Sequence, residues 1–295
     1  MGQSDIVPSY TDSLASIHGE RSIGAILIIN GRLRLEGAES ILRLQREQGL
    51  RFGDAAIQLG LLTQADIEFA LSRQFDYPYL LRGESKVSED LVTAYAPFSP
   101  QAEALRALRC QLMLRWFDSN PTRKALTIVS AARNEGRSYI TANLAVVFSQ
   151  LGAHTLLIDA DMRNPCQHQL FGLNNRAGLS AVLSGRGGPE AIERIPALLD
   201  LSVLPAGALP PNPLELLARP RFPQLLKELA QTFDVILLDS PAAAEYADAQ
   251  ILAVRAGAAL IAVRNNTTRM WQLRGVSDSV AQANATVVGT VLNEF

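Results

Sequence analysis

Three aspartates follow apolar runs in the second half of the sequence. Asp159 and Asp161 come at the end of the run that begins at Thr155, and Asp239 closes the run that begins at Val235. One aspartate in such a place is usually a turn residue or a helix cap. Three of them at the carboxyl ends of parallel strands would meet at one edge of a sheet. Because carboxylates ligate Mg²⁺ and accept protons, the pattern predicts phosphate chemistry assisted by a metal ion.

A candidate phosphate-binding loop lies between an apolar run and a helical segment. In the pattern G-x-x-x-x-G-K-[ST], backbone N–H groups and a helix N-terminus hold phosphates, a lysine reaches the terminal oxygens and a hydroxyl holds Mg²⁺. Gly136 and Ser138 fit this pattern. Ala131 replaces the first glycine, and Arg137 replaces the lysine. The match alone is weak, but the aspartates would lie beside it. We therefore predict a nucleotide-binding loop of Ala131, Ala132, Arg133, Asn134, Glu135, Gly136, Arg137, Ser138 and Tyr139.

The elements that would position these residues are apolar runs that alternate with helical segments. Runs without polar alternation indicate strands buried on both faces, as in a parallel sheet covered by helices. The predicted strands are Ala125–Ser130, Thr155–Ala160, Leu201–Leu204, Val235–Leu238, Ala258–Val263 and Thr286–Leu292. The sequence therefore predicts an α/β fold, with a parallel-sheet P-loop NTPase domain preceded by a small all-α helical domain.

The first part of the chain contains an internal repeat of short helices. When the sequence is aligned with itself, Gly24 falls on Gly53 and Gly31 falls on Gly60. Gly31 and Gly60 stand where a helix end needs a left-handed residue, and Thr63 with Asp66 makes a capping box. The predicted helices are Ile23–Asn30, Glu36–Gln48, Phe52–Leu59 and Thr63–Phe75.

Prolines at positions 97 and 100 predict a joint after residue 95, because proline ends helices and stiffens the chain. We therefore predict three parts. Residues 1–95 form a helical regulatory or docking domain, residues 96–124 a linker and an oligomerisation helix, and residues 125–295 the P-loop domain.

The composition excludes several classes of protein. The 295 residues include 27 basic and 29 acidic side chains, for a formal net charge of −2. A nucleic-acid-binding chain would be basic overall or carry a basic run, whereas this sequence is slightly acidic and has no basic run. The apolar stretches are shorter than the roughly 20 residues of a membrane span, and the N-terminal segment lacks the apolar core of a signal peptide. With two cysteines, neither in C-x-x-C, we expect a cytoplasmic protein without disulfides or a zinc site.

The repeated helices resemble the N-terminal domain of type II secretion and type IV pilus ATPases, called MshEN in its nucleotide-binding form. That domain repeats the unit R-L-G-x-x-L-x-x-x-G-L-L…L-x-x-Q after a short spacer. Ser22–Gln45 and Arg51–Gln74 reproduce the unit, although Ser22 takes the arginine position in the first copy. The resemblance leaves open a helical core, a surface that docks a partner, or a cyclic di-GMP site at Arg51, Gln45 and Gln74.

Residues 98–295 resemble the cytoplasmic domain of the bacterial tyrosine kinases (BY-kinases) that control exopolysaccharide chain length. Besides the loop and the aspartates, the matching stretches are Glu103, Arg106 and Arg109, then Leu156–Arg163, Leu170–Gly172, Leu204–Gly207, Pro210–Pro213, Ala247–Ala249 and Val291–Asn293. With the helices in front, the resemblance is to the separate chain-length determinant kinases of the EpsG type. It implies tyrosine (auto)phosphorylation with ATP and Mg²⁺. It also implies a place at the inner membrane through contact with a membrane polysaccharide co-polymerase.

The resemblance also assigns roles to matching residues. Asp159 and Asp161 would serve the metal ion and activate the attacking tyrosyl hydroxyl. Ser138 would bind Mg²⁺ directly, Asp239 would bind it through water, and Asn293 would contact the adenine. A phosphoryl transfer needs such positioning and charge neutralisation more than it needs covalent chemistry.

One predicted helix in the stretch that resembles the BY-kinases indicates a homo-oligomer. Glu103, Arg106 and Arg109 are spaced by three and would share a helix face, which closes rings in the family. The family also carries a C-terminal tyrosine cluster, whereas this sequence ends at Phe295 and its last tyrosine is Tyr246. We therefore expect any acceptor tyrosine to lie elsewhere.

Three functions compete on these observations: a tyrosine kinase, a nucleotide-binding switch with little turnover, and a positioning ATPase of the ParA/MinD kind. The last needs a lysine at the position of Ala132, and we set it aside. Two departures from the family bear on the first two. Asn134 replaces a glycine but tolerates a left-handed backbone. Arg137 replaces the lysine, and its planar fork does not substitute for a compact ammonium. We therefore expect ATP binding with weak turnover.

Overall fold

The computed structural model describes residues 22–74 and 79–294, in two compact units, Met1–Pro78 and Tyr79–Phe295. The helices of the first unit are α1 (Ile23–Ile29), α2 (Leu35–Gln48), α3 (Phe52–Gln58) and α4 (Gln64–Gln74). Each helix begins and ends within one residue of its predicted bounds, and Phe75, the predicted end of the fourth, lies outside the described residues.

The turns of the first unit have the predicted chemistry. Gly31 and Gly60 are left-handed, with φ of 68° and 66°. The backbone N–H of Asp66 donates to Thr63 Oγ1 at 3.3 Å, and the Thr63 N–H donates to Asp66 Oδ2 at 3.0 Å. This reciprocal pair satisfies two N–H groups at the start of α4, in the second copy of the repeat.

The second unit alternates strands and helices. Its helices are α5 (Val92–Tyr95), α6 (Pro100–Leu112), α7 (Arg137–Ser149), α8 (Gln167–Leu170), α9 (Leu179–Leu183), α10 (Pro213–Ala218), α11 (Arg221–Leu229), α12 (Asp248–Ala256) and α13 (Met270–Gln282). Its strands are β1 (Ala125–Ser130), β2 (Thr155–Asp159), β3 (Glu193–Arg194), β4 (Leu201–Leu204), β5 (Val235–Asp239), β6 (Ala258–Arg264) and β7 (Thr286–Asn293).

These strands form one seven-stranded sheet in the order β3-β4-β2-β5-β1-β6-β7. All neighbours pair in parallel except β3, a two-residue strand antiparallel to β4 that the sequence did not predict. The six predicted strands are confirmed as a parallel sheet. Every residue of β2 and β5 is buried, which explains their unbroken apolar runs.

Helices cover both faces of the sheet. On one face Phe117 and Phe148 meet edge to face with ring centroids 5.4 Å apart, and α6 and α7 complete the core. On the other face Phe222 of α11 is fully buried, with apolar residues of α9, α10 and α12. The large buried area fixes the register of the sheet and therefore the places where its strands end.

The segment before α6 belongs to the second unit by its contacts. Thr93 donates through its N–H and its hydroxyl to Asn143 Oδ1, at 3.0 and 2.8 Å. The Tyr95 hydroxyl donates to the carbonyl of Val87 at 2.6 Å. Because these groups pack on α7, the compact units divide at Pro78, whereas the predicted boundary lies at residue 95. Ser99 caps α6 by accepting from the Ala102 N–H.

Candidate active site

The three aspartates meet at the carboxyl edge of the sheet. Asp159 and Asp239 face each other in the register of β2 and β5 and are fully buried. Asp161, two residues beyond β2, is 5% exposed and lines a cleft. Its Oδ1 accepts the backbone N–H groups of Arg163 at 3.2 Å and Asn164 at 2.9 Å. Of the three carboxylates, Asp161 is therefore the one placed to meet a bound substrate.

The loop between β1 and α7 has the backbone of a phosphate cradle. Gly136 is left-handed (φ 84°) at the start of α7, and Asn134 is left-handed as well (φ 60°). The asparagine thus adopts a left-handed conformation that glycine takes most easily. A loop of this shape directs N–H groups and the helix N-terminus toward an anion.

The side chain of Glu135 braces this loop from inside. It is buried, accepts the Ala132 N–H at 2.8 Å and accepts the hydroxyl of Thr268. Asn293 donates to the carbonyl of Glu135 at 3.3 Å. Glu135 and Asn293 were predicted as nucleotide contacts, and in the structure both side chains hold the loop.

Arg137 turns its guanidinium toward the carboxylates. Its Nη1 donates to Ser130 Oγ at 2.6 Å. Its Nη2 lies 3.5 Å from Asp161 Oδ2, and its Nε lies 3.5 Å from Asp239 Oδ1. The side chain is only 9% exposed. The positive charge at the lysine position of the pattern is therefore held between β1 and the carboxylates.

Gln167 is a site residue that the sequence analysis missed. Its side chain is fully buried, and its Nε2 donates to Asp239 Oδ2 at 2.7 Å and to the Ser138 carbonyl at 3.1 Å. Its backbone N–H donates to Asp159 Oδ2 at 3.0 Å. Gln167 thereby joins both buried aspartates to the phosphate loop. A glutamine after N-P-C carries no signal of its own, because these contacts span long stretches of chain.

Burial sets the ionisation of this cluster. Desolvation and the neighbouring charge of Asp239 raise the pKa of Asp159 well above its ordinary value. Desolvation also raises the pKa of Asp239, although the Arg137 charge opposes that rise. Burial and the nearby carboxylates raise the pKa of the Cys166 thiol to about 12, so this cysteine stays protonated at neutral pH. Because these buried carboxylates are costly to ionise together, a cation bound beside them would stabilise their charged forms.

The cleft above these residues has a volume of about 710 Å³. The loop residues Arg133–Tyr139 form one wall, and the rest of the lining includes Asp161, Asn164, Cys166, Tyr246 and Arg264. Arg133 is bound to Glu245 through three contacts of 2.8–2.9 Å. Burial and the Asp90 charge raise the pKa of Tyr139. Residues 133–139 of the predicted loop and Asp161 thus line one cleft, whereas Asp159 and Asp239 are fully buried and do not line it.

The proposed oligomerisation residues contact their own chain. Arg106 Nη1 lies 3.0 Å from Glu103 Oε2, and Arg106 Nη2 donates to the Pro97 carbonyl. Arg109 Nη1 donates to the Val147 carbonyl at 2.7 Å. Glu103, whose side chain is 74% exposed, is the most accessible of the three. Within this chain the two arginines hold α6 in place.

The helical unit has a cleft of about 680 Å³ of its own. Gln45 and Gln74, which stand at equivalent places in the repeat, both line it. Arg46 lines it as well, whereas Arg51 stands at the start of α3 and does not. The structure therefore joins two of the three residues predicted for cyclic di-GMP.

A phosphate loop beside carboxylates at the edge of a parallel sheet defines a nucleotide-binding α/β protein of the P-loop class. No protein-family model matches the chain. Over 209 residues the chain is 32% identical to tyrosine-protein kinase YwqD of Bacillus subtilis. This match covers 71% of the chain and 87% of YwqD. The chain therefore belongs to the bacterial tyrosine-protein kinases.

Two further comparisons agree with this family. The chain is 34% identical over 208 residues to the putative tyrosine-protein kinase EpsB of Ralstonia solanacearum, a match that covers 70% of the chain and 28% of EpsB. The solved kinase domain of Escherichia coli tyrosine kinase ETK superposes with a TM-score of 0.68 at 28% identity, over 75% of the chain and 86% of that domain. The chain thus spans about a quarter of EpsB.

No helix in the described ranges, 22–74 and 79–294, is long and apolar enough to cross a membrane. The segment in which we expected no signal peptide, residues 1–21, lies outside those ranges.

Proposed function

We propose that the chain is an ATP-dependent protein tyrosine (auto)kinase of the EpsG type that regulates exopolysaccharide polymerisation and export through a membrane co-polymerase. The observation that carries the proposal is a set of buried oxygens at the carboxyl edge of the sheet. Asp159 Oδ1, Asp239 Oδ1 and Gln167 Oε1 have no hydrogen-bond partner among the described residues. Such oxygens are costly unless the site takes up a cation or a donor.

These oxygens fit Mg²⁺ held together with a nucleotide. In the described part of the chain, no group of three or more His, Cys, Asp or Glu side chains could hold a metal ion by itself. Mg²⁺ characteristically takes one or two carboxylates and completes its shell with water and phosphate oxygens. Ser138, which lines the cleft, and the two buried aspartates would hold the ion. When bound, magnesium ATP supplies the phosphoryl group and neutralises the charge that develops during transfer.

The chain's own residues bind the phosphates, accept the proton and hold the carboxylates in position. Backbone N–H groups of the loop bind and orient the phosphates. Asp161, at the surface of the cleft, accepts the proton of the attacking tyrosyl hydroxyl. Gln167 keeps Asp239 and the Ser138 carbonyl at fixed positions. Phosphotyrosine formation and ADP release, measured on the purified chain with Mg²⁺ and ATP, test the proposal directly.

A nucleotide-binding switch with weak turnover is the second candidate. The observation that favours it is the guanidinium of Arg137, which Ser130, Asp161 and Asp239 hold between them. A charge held there attracts phosphates in the ground state. Transition-state stabilisation requires a charge that stays close to the moving phosphoryl group, and this guanidinium is held away from it. Nucleotide binding without phosphotyrosine, in the presence of the partner's cytoplasmic tail as well as in its absence, would favour the switch.

We expect Arg137→Lys to raise turnover at least about tenfold, or about 1.4 kcal/mol of barrier, with little change in ATP affinity. A flexible ammonium leaves Ser130 more readily and reaches the phosphates as a compact charge. Steady-state ADP release and ATP titration measure the two effects. Arg221→Lys, on the exposed surface of α11 and outside the cleft, is the matched control. A lysine variant no faster than its parent would contradict the impaired-catalyst interpretation.

We further propose that the chain forms a homo-oligomer through α6, which carries Glu103, Arg106 and Arg109. Support comes from the exposure of Glu103 and from the single helix face that the three share. We expect Glu103→Ala to lower the solution mass, as measured by light scattering. This variant removes the exposed Arg106–Glu103 pair but leaves the bonds of both arginines to backbone carbonyls in place, so a mass change would report the interface. An unchanged oligomeric mass would exclude Glu103 from it.

For the first unit we propose an MshEN-like regulatory or docking domain that contacts a partner or binds cyclic di-GMP. The cleft lined by Gln45 and Gln74 supports this role. If cyclic di-GMP is the ligand, calorimetric titration of the full chain gives a saturating heat that Gln74→Ala weakens, because the amide supplies hydrogen bonds to a base or phosphate. Leu61→Ala, elsewhere in the unit, is the control. A flat titration would leave the docking role.

A further inference from the structure

Tyr246 occupies a fixed position beside the phosphate loop. It lies in the segment between β5 and α12, which begins directly after Asp239. Two backbone hydrogen bonds tie this segment to the end of β1: Ala243 N–H donates to the Ser130 carbonyl at 2.9 Å, and Ala244 N–H donates to the Ala131 carbonyl at 3.0 Å. Tyr246 lines the same cleft as Asp161. A phenol is thus held at the wall of the site in which phosphoryl transfer is proposed.

Two arginines surround the Tyr246 side chain. The guanidinium of Arg163 lies 4.0 Å from the centre of its ring. The same guanidinium is anchored by the buried Asp248, at 3.2 and 3.3 Å. Arg133, on the phosphate loop, lines the same cleft as Tyr246 and pairs with the neighbouring Glu245. Paired guanidinium groups of this kind bind the dianionic phosphate of a phosphotyrosine.

Tyr246 also borders a second cavity. A second cavity of about 280 Å³ is lined by Tyr246 together with Gln250 and Ser279. Tyr246 therefore borders two cavities, and it is partly exposed. A side chain that borders open volume can change its direction without displacing the sheet or the helices around it.

No other described tyrosine lines both cavities, although Tyr139 also lines the cleft that contains Asp161. Tyr95 is buried and donates to the Val87 carbonyl. Tyr139 stands inside α7 next to Asp90, whose charge opposes a second anion there. Tyr79 contributes to neither cavity described above. The last two of the six tyrosines, Tyr10 and Tyr77, lie outside the described residues.

We propose that Tyr246 is a phosphoryl acceptor of the chain's own active site. This inference rests on the proposed kinase function. The Tyr246 hydroxyl oxygen forms a bond to the γ-phosphorus of a nucleoside triphosphate, while the bond from that phosphorus to the β–γ bridging oxygen breaks and the diphosphate leaves. The phenolic proton passes to the Asp161 carboxylate and then to water. The new phosphate pairs with Arg133 and Arg163, and Glu245 loses its hold on Arg133.

The test is site mapping on the full chain. The purified protein is incubated with Mg²⁺ and ATP, and phosphorylated residues are located by peptide mass spectrometry. ADP release and phosphorylation of an added Glu–Tyr copolymer are followed in parallel. We expect phosphate at Tyr246, and we expect Tyr246→Phe to lower the phosphate incorporated per chain at least about fivefold.

The outcomes separate this inference from the function on which it rests. Copolymer phosphorylation without phosphate at Tyr246 would overturn the Tyr246 assignment and leave the kinase function standing. Phosphate found only on other tyrosines of the chain would have the same meaning. No phosphotyrosine on either chain or copolymer would overturn both.

Discussion

Asp161→Asn is expected to lower the rate of phosphoryl transfer by about 10²–10⁴-fold, the usual contribution of a positioned proton acceptor. The amide oxygen can still accept the Arg163 and Asn164 N–H groups that the carboxylate now accepts, so the turn keeps its shape. The amide cannot take up the proton of the tyrosyl hydroxyl. ATP affinity should change little, because loop N–H groups supply most of the phosphate binding. Phosphotyrosine formation in single-turnover conditions is the direct measurement.

Asp234→Asn is the matched control for this variant. Asp234 precedes β5 and therefore lies at the opposite edge of the sheet from Asp239, where it accepts from Lys124 Nζ at 3.2 Å. We expect the control to turn over as the parent does. If Asp161→Asn also stayed within about tenfold of the parent, its carboxylate would not be the proton acceptor, because general-base catalysis is worth more than that.

Asp159→Asn is expected to stabilise the ligand-free chain at neutral pH, by about 1–3 kcal/mol of unfolding free energy, while it abolishes turnover. The Asp159 carboxylate is fully buried beside Asp239 and Asp161, so its charge is repelled and poorly solvated. An asparagine oxygen can still accept the N–H groups of Cys166 and Gln167. The variant keeps the hydrogen bonds and removes the charge, which is the usual conflict between stability and function.

The stability that Asp159→Asn adds to the chain should depend on pH. Burial raises the folded-state pKa of Asp159 above its ordinary value of 3.8. Its contribution to stability is therefore full below pH 3.8 and is lost as the pH rises toward the folded-state pKa. The advantage of the asparagine variant should be absent at the acidic end and grow with pH. Urea unfolding of parent and variant across this range measures it.

Asp248→Asn tests whether an aspartate destabilises the fold because it is buried or because its charge has no partner. Asp248 is also buried, 2% exposed, but it pairs with Arg163 at 3.2 Å. Removal of one partner from a buried pair destabilises, commonly by about 3–5 kcal/mol. We expect the two variants to change stability in opposite directions. A loss of stability in Asp159→Asn would mean that its carboxylate is already compensated in the ligand-free chain.

Local patterns were sufficient for much of the fold. Strands buried on both faces must be apolar throughout, and the six runs beginning at Ala125, Thr155, Leu201, Val235, Ala258 and Thr286 all became parallel strands. Backbone conformation was equally local. Glycine or asparagine is needed where φ is positive, and Gly31, Gly60, Asn134 and Gly136 all adopt that conformation. The convergence of the aspartates followed from the rule that parallel strands end at one edge.

Sequence by itself therefore determined the class of fold, the loop and the edge where the carboxylates meet, because each depends on periodicity or on the backbone preference of single residues. Only the tertiary structure decided which side chains complete the site. Gln167 binds Asp239, Thr268 binds Glu135, and Tyr246 meets Arg163 across long separations in the chain. Such pairs depend on how distant elements pack, and no local pattern encodes that packing. The direction of the Arg137 guanidinium belongs with them, since three separate strand ends and loops hold it.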